Sequence, residues 1–288
     1  MYFNYYGFAE APFNLTPNSR FFFESEKHSE ALSTLLYAIK ERKGFVVVSG
    51  NIGSGKTTVC RTLLNQLDPN TKTALITNTH ISGKDLLTSI LEEFEVDFVP
   101  GSKSRLIAQL NDYLIEELRM DNNVVLIIDE AQNLKPSVLE EVRMLSNLET
   151  ENEKLIQILF LGQPELRQKL ALPRLEQLRQ RIAVFYHLTP LTREDTINYI
   201  RHRVKVASNS DREYFTPDAL ELVYRFSKGT PRLINQICDS ALLTGYIREV
   251  PLINATLMME VINESPMVVI GEVNPNATSE EMPFIQRN

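Results

Sequence analysis

The run Gly50-Asn51-Ile52-Gly53-Ser54-Gly55-Lys56-Thr57 satisfies the pattern G-x-x-x-x-G-K-[ST] at every defined position. It constrains the fold because the pattern works only between a buried strand and a helix. Both flanks read that way: Phe45-Val46-Val47-Val48 is a short apolar run entering the loop, and Thr58-Val59-Cys60-Arg61-Thr62-Leu63-Leu64 is a helical pattern leaving it. Glycines let the backbone curl so that successive N–H groups point inward at an anion, and the helix N-terminus adds partial positive charge. Gly50 through Thr58 are therefore expected to cradle the phosphates of a nucleoside triphosphate. Lys56 would reach the β- and γ-phosphates, and the Thr57 hydroxyl would ligate Mg²⁺. A Gly-rich turn that merely joins strand to helix is the competing reading, and the matched flanks count against it.

From Phe45 onward, apolar runs of strand length alternate with helical patterns, which predicts an α/β fold built on a parallel sheet with flanking helices. The expected strands are Gly44–Ser49, Thr73–Asn78, Val124–Asp129, Ile156–Gly162 and Ala183–Leu188, with helices near 55–67, 83–94, 103–119 and 136–147. Ligands of such sheets sit outside the carboxyl ends of the strands, so the polar residues ending these runs should converge. The third run delivers Asp129-Glu130. Asp129 would hold Mg²⁺ through water, and Glu130 would polarise the water that attacks the γ-phosphate. An acidic pair capping the next helix is the plainer reading, but its place downstream of a phosphate loop favours catalysis. Gln163 ends the fourth strand, where it either orients the lytic water or belongs to a turn before the helix opened by Pro164. Asn78 ends the second, where it either hydrogen-bonds Glu130 and holds it inactive or is a turn residue.

After Pro190 the strand signal stops. Thr192–Ala207, Pro217–Lys228, Pro231–Arg248 and Asn254–Asn263 read as four helices, with Thr216-Pro217 and Asn254 as start signals. The expected organisation is a nucleotide-binding core over 1–190, including an N-terminal segment 1–43, then a small all-α lid over 191–263 and an extended or disordered tail over 264–288. Arg232, in Gly229-Thr230-Pro231-Arg232, lies where an arginine on a mobile lid reaches the γ-phosphate, although an arginine in a first helical turn is usually a surface residue.

Charge is unevenly spread. Between Pro164 and Lys205 nine Lys/Arg face four acids, and between Asp121 and Lys154 eight acids face three bases. Complementary segments suit a head-to-tail contact between identical subunits, closing a ring or growing a filament. A basic residue entering the neighbour's site would then supply transition-state charge. Arg181 is the first candidate and Arg179 the second. A solvated basic face or a nucleic-acid groove is the alternative.

The net charge of −7 argues against a mainly electrostatic nucleic-acid binder. Cys60 and Cys238 sit in apolar helical patterns, with no disulfide framework or metal cluster, so a reducing cytoplasm is expected. The N-terminus has no basic stretch followed by a long apolar one, and no window approaches the ~20 apolar residues of a spanning helix. Direct membrane insertion is therefore not expected.

These residues together resemble an AAA+ ATPase, more narrowly the ExeA/GspA family of secretion ATPases with their pilus-biogenesis MshM relatives. The resemblance runs from Tyr5 to about Asn263. It is carried by Tyr6-Gly7-Phe8, Pro12-Phe13-Asn14-Leu15-Thr16-Pro17, His28-Ser29-Glu30-Ala31-Leu32 and Arg42-Lys43-Gly44-Phe45, then by Asp129-Glu130-Ala131-Gln132, Gly162-Gln163-Pro164-Glu165-Leu166 and Gly229-Thr230-Pro231-Arg232. It implies ATP as the nucleotide, Walker A at 50–57, Walker B at Asp129-Glu130, sensor 1 at Gln163, sensor 2 at Arg232 and the arginine finger within Arg179–Arg181. It also implies that Phe13–Pro17 and His28 pack near the adenine. From the residues alone, Phe21-Phe22-Phe23 is more simply core or a docking patch. The longer secretion proteins continue into a transmembrane helix and a peptidoglycan-binding domain, and this sequence ends at Asn288 with neither. A role in type II secretion, type IV pili or polysaccharide export is then expected to run through a protein partner of an envelope machine, with recruitment to the inner membrane by that partner. The competing function is a DNA-associated ATPase of the transposition-regulator (MuB/TniB) type, which shares the Walker and lid motifs.

Overall fold

The computed structural model describes residues 2–149, 153–208 and 210–266. The expected tail lies outside the described residues from 267 onward. The chain opens with a short helix, α1 (Tyr2–Tyr6), and forms two compact units. One holds residues 26–189 and the other joins residues up to Ser25 to those from Pro190 onward.

The first unit begins with α2 (Glu26–Lys40) and then alternates strand and helix: β1 (Phe45–Gly50), α3 (Lys56–Gln66), β2 (Thr71–Ile76), α4 (Gly83–Glu93), α5 (Lys103–Arg119), β3 (Asn123–Ile128), α6 (Pro136–Leu145) and β4 (Gln157–Gly162). It closes with α7 (Pro164–Leu170), α8 (Glu176–Gln180) and β5 (Ile182–Leu188). The five strands form one parallel sheet in the order β2-β3-β4-β1-β5. The sequence patterns follow from that order. β1 and β4 are buried along their whole length and β3 at all but its first residue, so the inner strands read as unbroken apolar runs. β2 and β5 are the edges, and β5 alternates inward and outward residues. On its open face Phe185 remains exposed beneath the Arg167 guanidinium. Ser82 and Ser102 start α4 and α5 by accepting from the N–H of Asp85 and Arg105.

The second unit carries four further helices: α9 (Arg193–Ser208), α10 (Pro217–Ser227), α11 (Pro231–Ile247) and α12 (Ala255–Asn263). Thr216 caps α10 through Ala219 N–H, and Asn254 caps α12 through Leu257 N–H. Residues 2–25 depart from expectation, because they belong to this helical unit and not to the sheet core. Tyr2, Tyr6, Phe8, Phe13 and Phe21 are buried in one cluster with Tyr199, Tyr214, Phe215 and Ile237. Backbone and side-chain bonds fix the segment: Ala9 N–H donates to Ala207 O at 2.8 Å, Tyr214 OH to Tyr6 O at 3.0 Å and Arg203 Nε to Pro12 O at 2.5 Å. The physical reason is size, since four short helices bury too little apolar surface alone and the N-terminal aromatics complete their core. Phe21 is thus core, and Phe13 fills this cluster against Phe215.

Gly229 closes the turn before α11 with φ +75°, and a Cβ there would stand 1.9 Å from Leu191 O. Its own carbonyl accepts from Leu191 N–H at 2.9 Å. Gly229→Ala should therefore destabilise the helical unit by about 2–4 kcal/mol, through both the left-handed backbone and the clash. Urea denaturation would show this as a lowered midpoint, and a wild-type midpoint would mean that the turn relaxes freely.

Candidate active site

The carboxyl ends of β1, β4 and β3 lie side by side, with Ser49 opposite Gly162 and Ile128 opposite Phe160. Gly50 ends β1 and the chain curls into a loop whose last residue, Gly55, has φ +99° and caps α3. A Cβ at Gly55 would also meet His28 Nε2 at 2.9 Å. His28 is buried beside the loop, its Nε2 3.1 Å from Ser54 O. This places His28 against the phosphate loop by direct contact.

Two features mark the loop as built for an anion. Ser54 Oγ is buried and has no hydrogen-bond partner among the described residues, although unpaired buried hydroxyls are costly. Lys56 is buried, and its ammonium donates to Gly50 O at 2.8 Å and Asn51 O at 3.1 Å, within the curl itself. Burial pushes the Lys56 pKa down, and the carboxylates of Glu130, Asp129 and Glu165 oppose that shift. A triphosphate would give both groups a charged partner. Thr57 Oγ1 donates to Asp129 Oδ2 at 3.2 Å. That pair offers adjacent hard oxygens of the kind Mg²⁺ takes when phosphate and water supply the rest of its shell. Burial raises the Asp129 pKa, while the Glu130 N–H, Thr57 and Lys56 pull it back and the Glu130 charge adds to the rise. Among the described residues no cluster of three or more His, Cys, Asp or Glu forms a metal cage.

Glu130 stands one residue beyond Asp129 in the left-handed region at φ +51°. Its carboxylate Oε2 accepts from Gln163 Nε2 at 3.0 Å and from Gln132 Nε2 at 2.5 Å. Gln163 caps α7 with extended backbone, which aims its side chain across the strand ends. Of the two readings for Asn78, the turn residue holds: β2 stops at Ile76, and Asn78 is exposed with Oδ1 accepting from His80 N–H, not bonded to Glu130. Thr79, buried one residue on, donates to Glu130 O at 3.2 Å instead. Gln132 and Thr79 were missed because their partners depend on the reversed backbone at Glu130, which no spacing rule signals.

The arginines fall elsewhere. Arg181 ends α8 at the amino edge of β5, and Ile182 pairs with Phe45, the first residue of β1. The seven residues of β5 separate it from the loop end of the sheet, about 20 Å at the usual rise per strand residue. Arg181 Nη1 donates to Ser146 Oγ at 2.6 Å. Arg179 is exposed, and its Nη1 donates to Leu170 O and Ala171 O. Arg232 is exposed in the first turn of α11, in the helical unit. The basic segment carries less free charge than its composition suggested. Arg193, Arg201 and Lys205 are paired with Glu221, Glu213 and Asp211, all outside the counted window, and Arg203 is buried.

The sheet order, the loop after β1 and the acidic pair after β3 give the chain a P-loop fold, a parallel sheet with flanking helices. Residues 39–170 match the family described as AAA domain. Over 249 residues the chain is 44% identical to the general secretion pathway protein A of Aeromonas hydrophila, covering 86% of this chain and 45% of that protein. The resemblance read from the motifs thus holds over most of this sequence. A replication factor C small subunit of Saccharolobus solfataricus is 25% identical over 222 residues, covering 76% of this chain and 58% of that one. The chain spans about half the length of these two curated relatives. Among solved structures, the Aeropyrum pernix ORC2 protein in its ADPNP–ADP complexes superposes with a TM-score of 0.68 at 16% identity, covering 89% of this chain and 72% of that one. At that identity the likeness shows the fold. No helix among the described residues is long and apolar enough to cross a membrane.

Proposed function

We propose that the chain binds ATP with Mg²⁺ and hydrolyses it, and that it works as a homo-oligomer that drives assembly or remodelling of a bacterial envelope machine. The observation that carries the hydrolytic part is the Glu130 carboxylate, held by two amide donors beside a phosphate loop containing an unpaired buried hydroxyl. Lys56 and the N–H groups of residues 50–58 bind the phosphates, and Thr57 and Asp129 hold Mg²⁺. Glu130 takes the proton of the attacking water, which Gln163 orients. Arg181 enters the neighbouring subunit's site, and Arg232 couples the helical unit to nucleotide state. The envelope role rests on the likeness to general secretion pathway protein A, and the partner would be a protein of that machine, met from the cytoplasmic side.

Purified protein should release phosphate from ATP when Mg²⁺ is present and stop on chelation. Lys56→Ala removes a charge-assisted contact of about 1.5–3 kcal/mol, so nucleotide affinity should fall about 10- to 100-fold by titration calorimetry. Failure of concentrated wild type to turn over ATP, alone and with envelope extracts, would count against the enzyme. A DNA-associated ATPase remains the second reading, favoured by the replication factor C match. It requires an ATP-dependent mobility shift with duplex DNA, and the ion-paired lid arginines weigh against it.

A further inference from the structure

Gln132 has no role in the scheme above, yet both ends of its carboxamide are engaged. It lies in the short 3₁₀ turn Ala131–Asn133, immediately after Glu130. Nε2 donates to Glu130 Oε2 at 2.5 Å, and Oε1 accepts from the backbone N–H of Gln163 at 3.1 Å. The opposite amide orientation would set an NH₂ against an N–H and an oxygen against a carboxylate, so only this one satisfies both neighbours. The approach is close enough that a Cβ on Gly162 would stand 3.1 Å from Gln132 Oε1. The turn is also gripped from α7, where Lys169 Nζ donates to Gln132 O and, at 2.8 Å, to Leu134 O.

We infer that Gln132 is a positioning residue for hydrolysis, a two-ended clasp that ties the Glu130 carboxylate to the backbone at the β4–α7 junction. Its consequence is mechanical. Gln163 reaches the same carboxylate oxygen by its side chain, so the base is bound to that junction twice, once through each amide. A shift of the junction then reorients the base with it, and a junction at rest holds the base in one direction. The inference rests on reading Glu130 as the base.

Two variants separate the ends of the clasp. Gln132→Met keeps the length and loses both bonds. Gln132→Glu keeps an acceptor for the Gln163 N–H but replaces the donor to Glu130 with a like charge. Both should lower kcat about 10- to 100-fold, the scale of a misplaced catalytic group, with the KM for ATP changed only a few-fold. In a Glu130→Gln background Gln132→Met should have no further effect on kcat, whereas a merely structural role would multiply the two losses. Without nucleotide, hydrogen exchange at the Gln163 amide should quicken in Gln132→Met and stay slow in Gln132→Glu. Unchanged exchange in Gln132→Met, multiplicative losses, or kcat within about twofold of wild type beside an inactive Glu130→Gln would each overturn the clasp. If Glu130→Gln itself turns over like wild type, the assignment of the base falls, and the positioning role falls with it. Should Gln132→Met fail to fold, the kcat and exchange of Gln132→Glu decide alone.

Discussion

Glu130→Gln should abolish turnover while leaving ATP bound. The substitution preserves shape and leaves an oxygen to accept from Gln132 and Gln163, so the strand ends keep their geometry. The groups proposed to face the phosphates are untouched: Lys56 in the curl, the Ser54 hydroxyl, and the Thr57–Asp129 pair. Only the proton acceptor is lost. General-base catalysis by a positioned carboxylate contributes about 10²- to 10⁴-fold, and kcat should fall by that factor. Nucleotide affinity should stay within a few-fold, because an interaction made only in the transition state leaves ground-state binding alone. Single-turnover hydrolysis together with equilibrium binding of a fluorescent ATP analogue separates the two quantities. A variant that still hydrolyses at a tenth of the wild-type rate would remove Glu130 from the role of base.

The parts of this site that were legible in the sequence are those in which local pattern and chemistry coincide. The loop from Gly50 to Thr57 is contiguous and its strand is buried on both faces, so an unbroken apolar run announces it. Asp129 and Gln163 were readable for the same reason, as polar residues closing the inner strands β3 and β4. The bond from Asn78 to Glu130 is not formed because β2, an edge strand, leaves the sheet at Ile76, two residues earlier than the apolar pattern suggested, and Asn78 serves the turn instead. The N-terminal aromatics were misplaced because apolar content says that a segment must be buried, not in which core. Here Tyr2, Tyr6 and Phe8 complete a cluster made by residues nearly two hundred positions away. The ion-paired basic residues of the helical unit show the limit of charge counting along a window, since their acidic partners come from α10 and the loop before it.

Arg181→Ala should remove hydrolysis as completely as loss of the base, and for a reason lodged in a different subunit. Its position at the amino edge of β5 keeps it away from its own phosphate loop by the length of the strand. It can act on a γ-phosphate only across a contact between copies. Ser146 Oγ donates to Arg143 O at 2.7 Å and accepts from Arg181 Nη1, which fixes one edge of the guanidinium. Arginines supplied in this way contribute about 10³- to 10⁵-fold to phosphoryl transfer, and kcat of Arg181→Ala should fall accordingly with ATP still bound. Arg179→Ala should do far less if Arg181 is the group that crosses the contact, and the reverse ranking would make Arg179 the finger. Mixing gives the decisive measurement. Glu130→Gln subunits carry an intact Arg181, and Arg181→Ala subunits carry an intact Glu130, so a site is complete wherever the first lends its arginine to the second, about half of the contacts between unlike neighbours in a head-to-tail assembly. Two inactive proteins should therefore regain turnover when combined, in proportion to the mixed contacts formed. If light scattering shows mixed assemblies in ATP and the mixture stays inactive, Arg181 does not act in the neighbour's site.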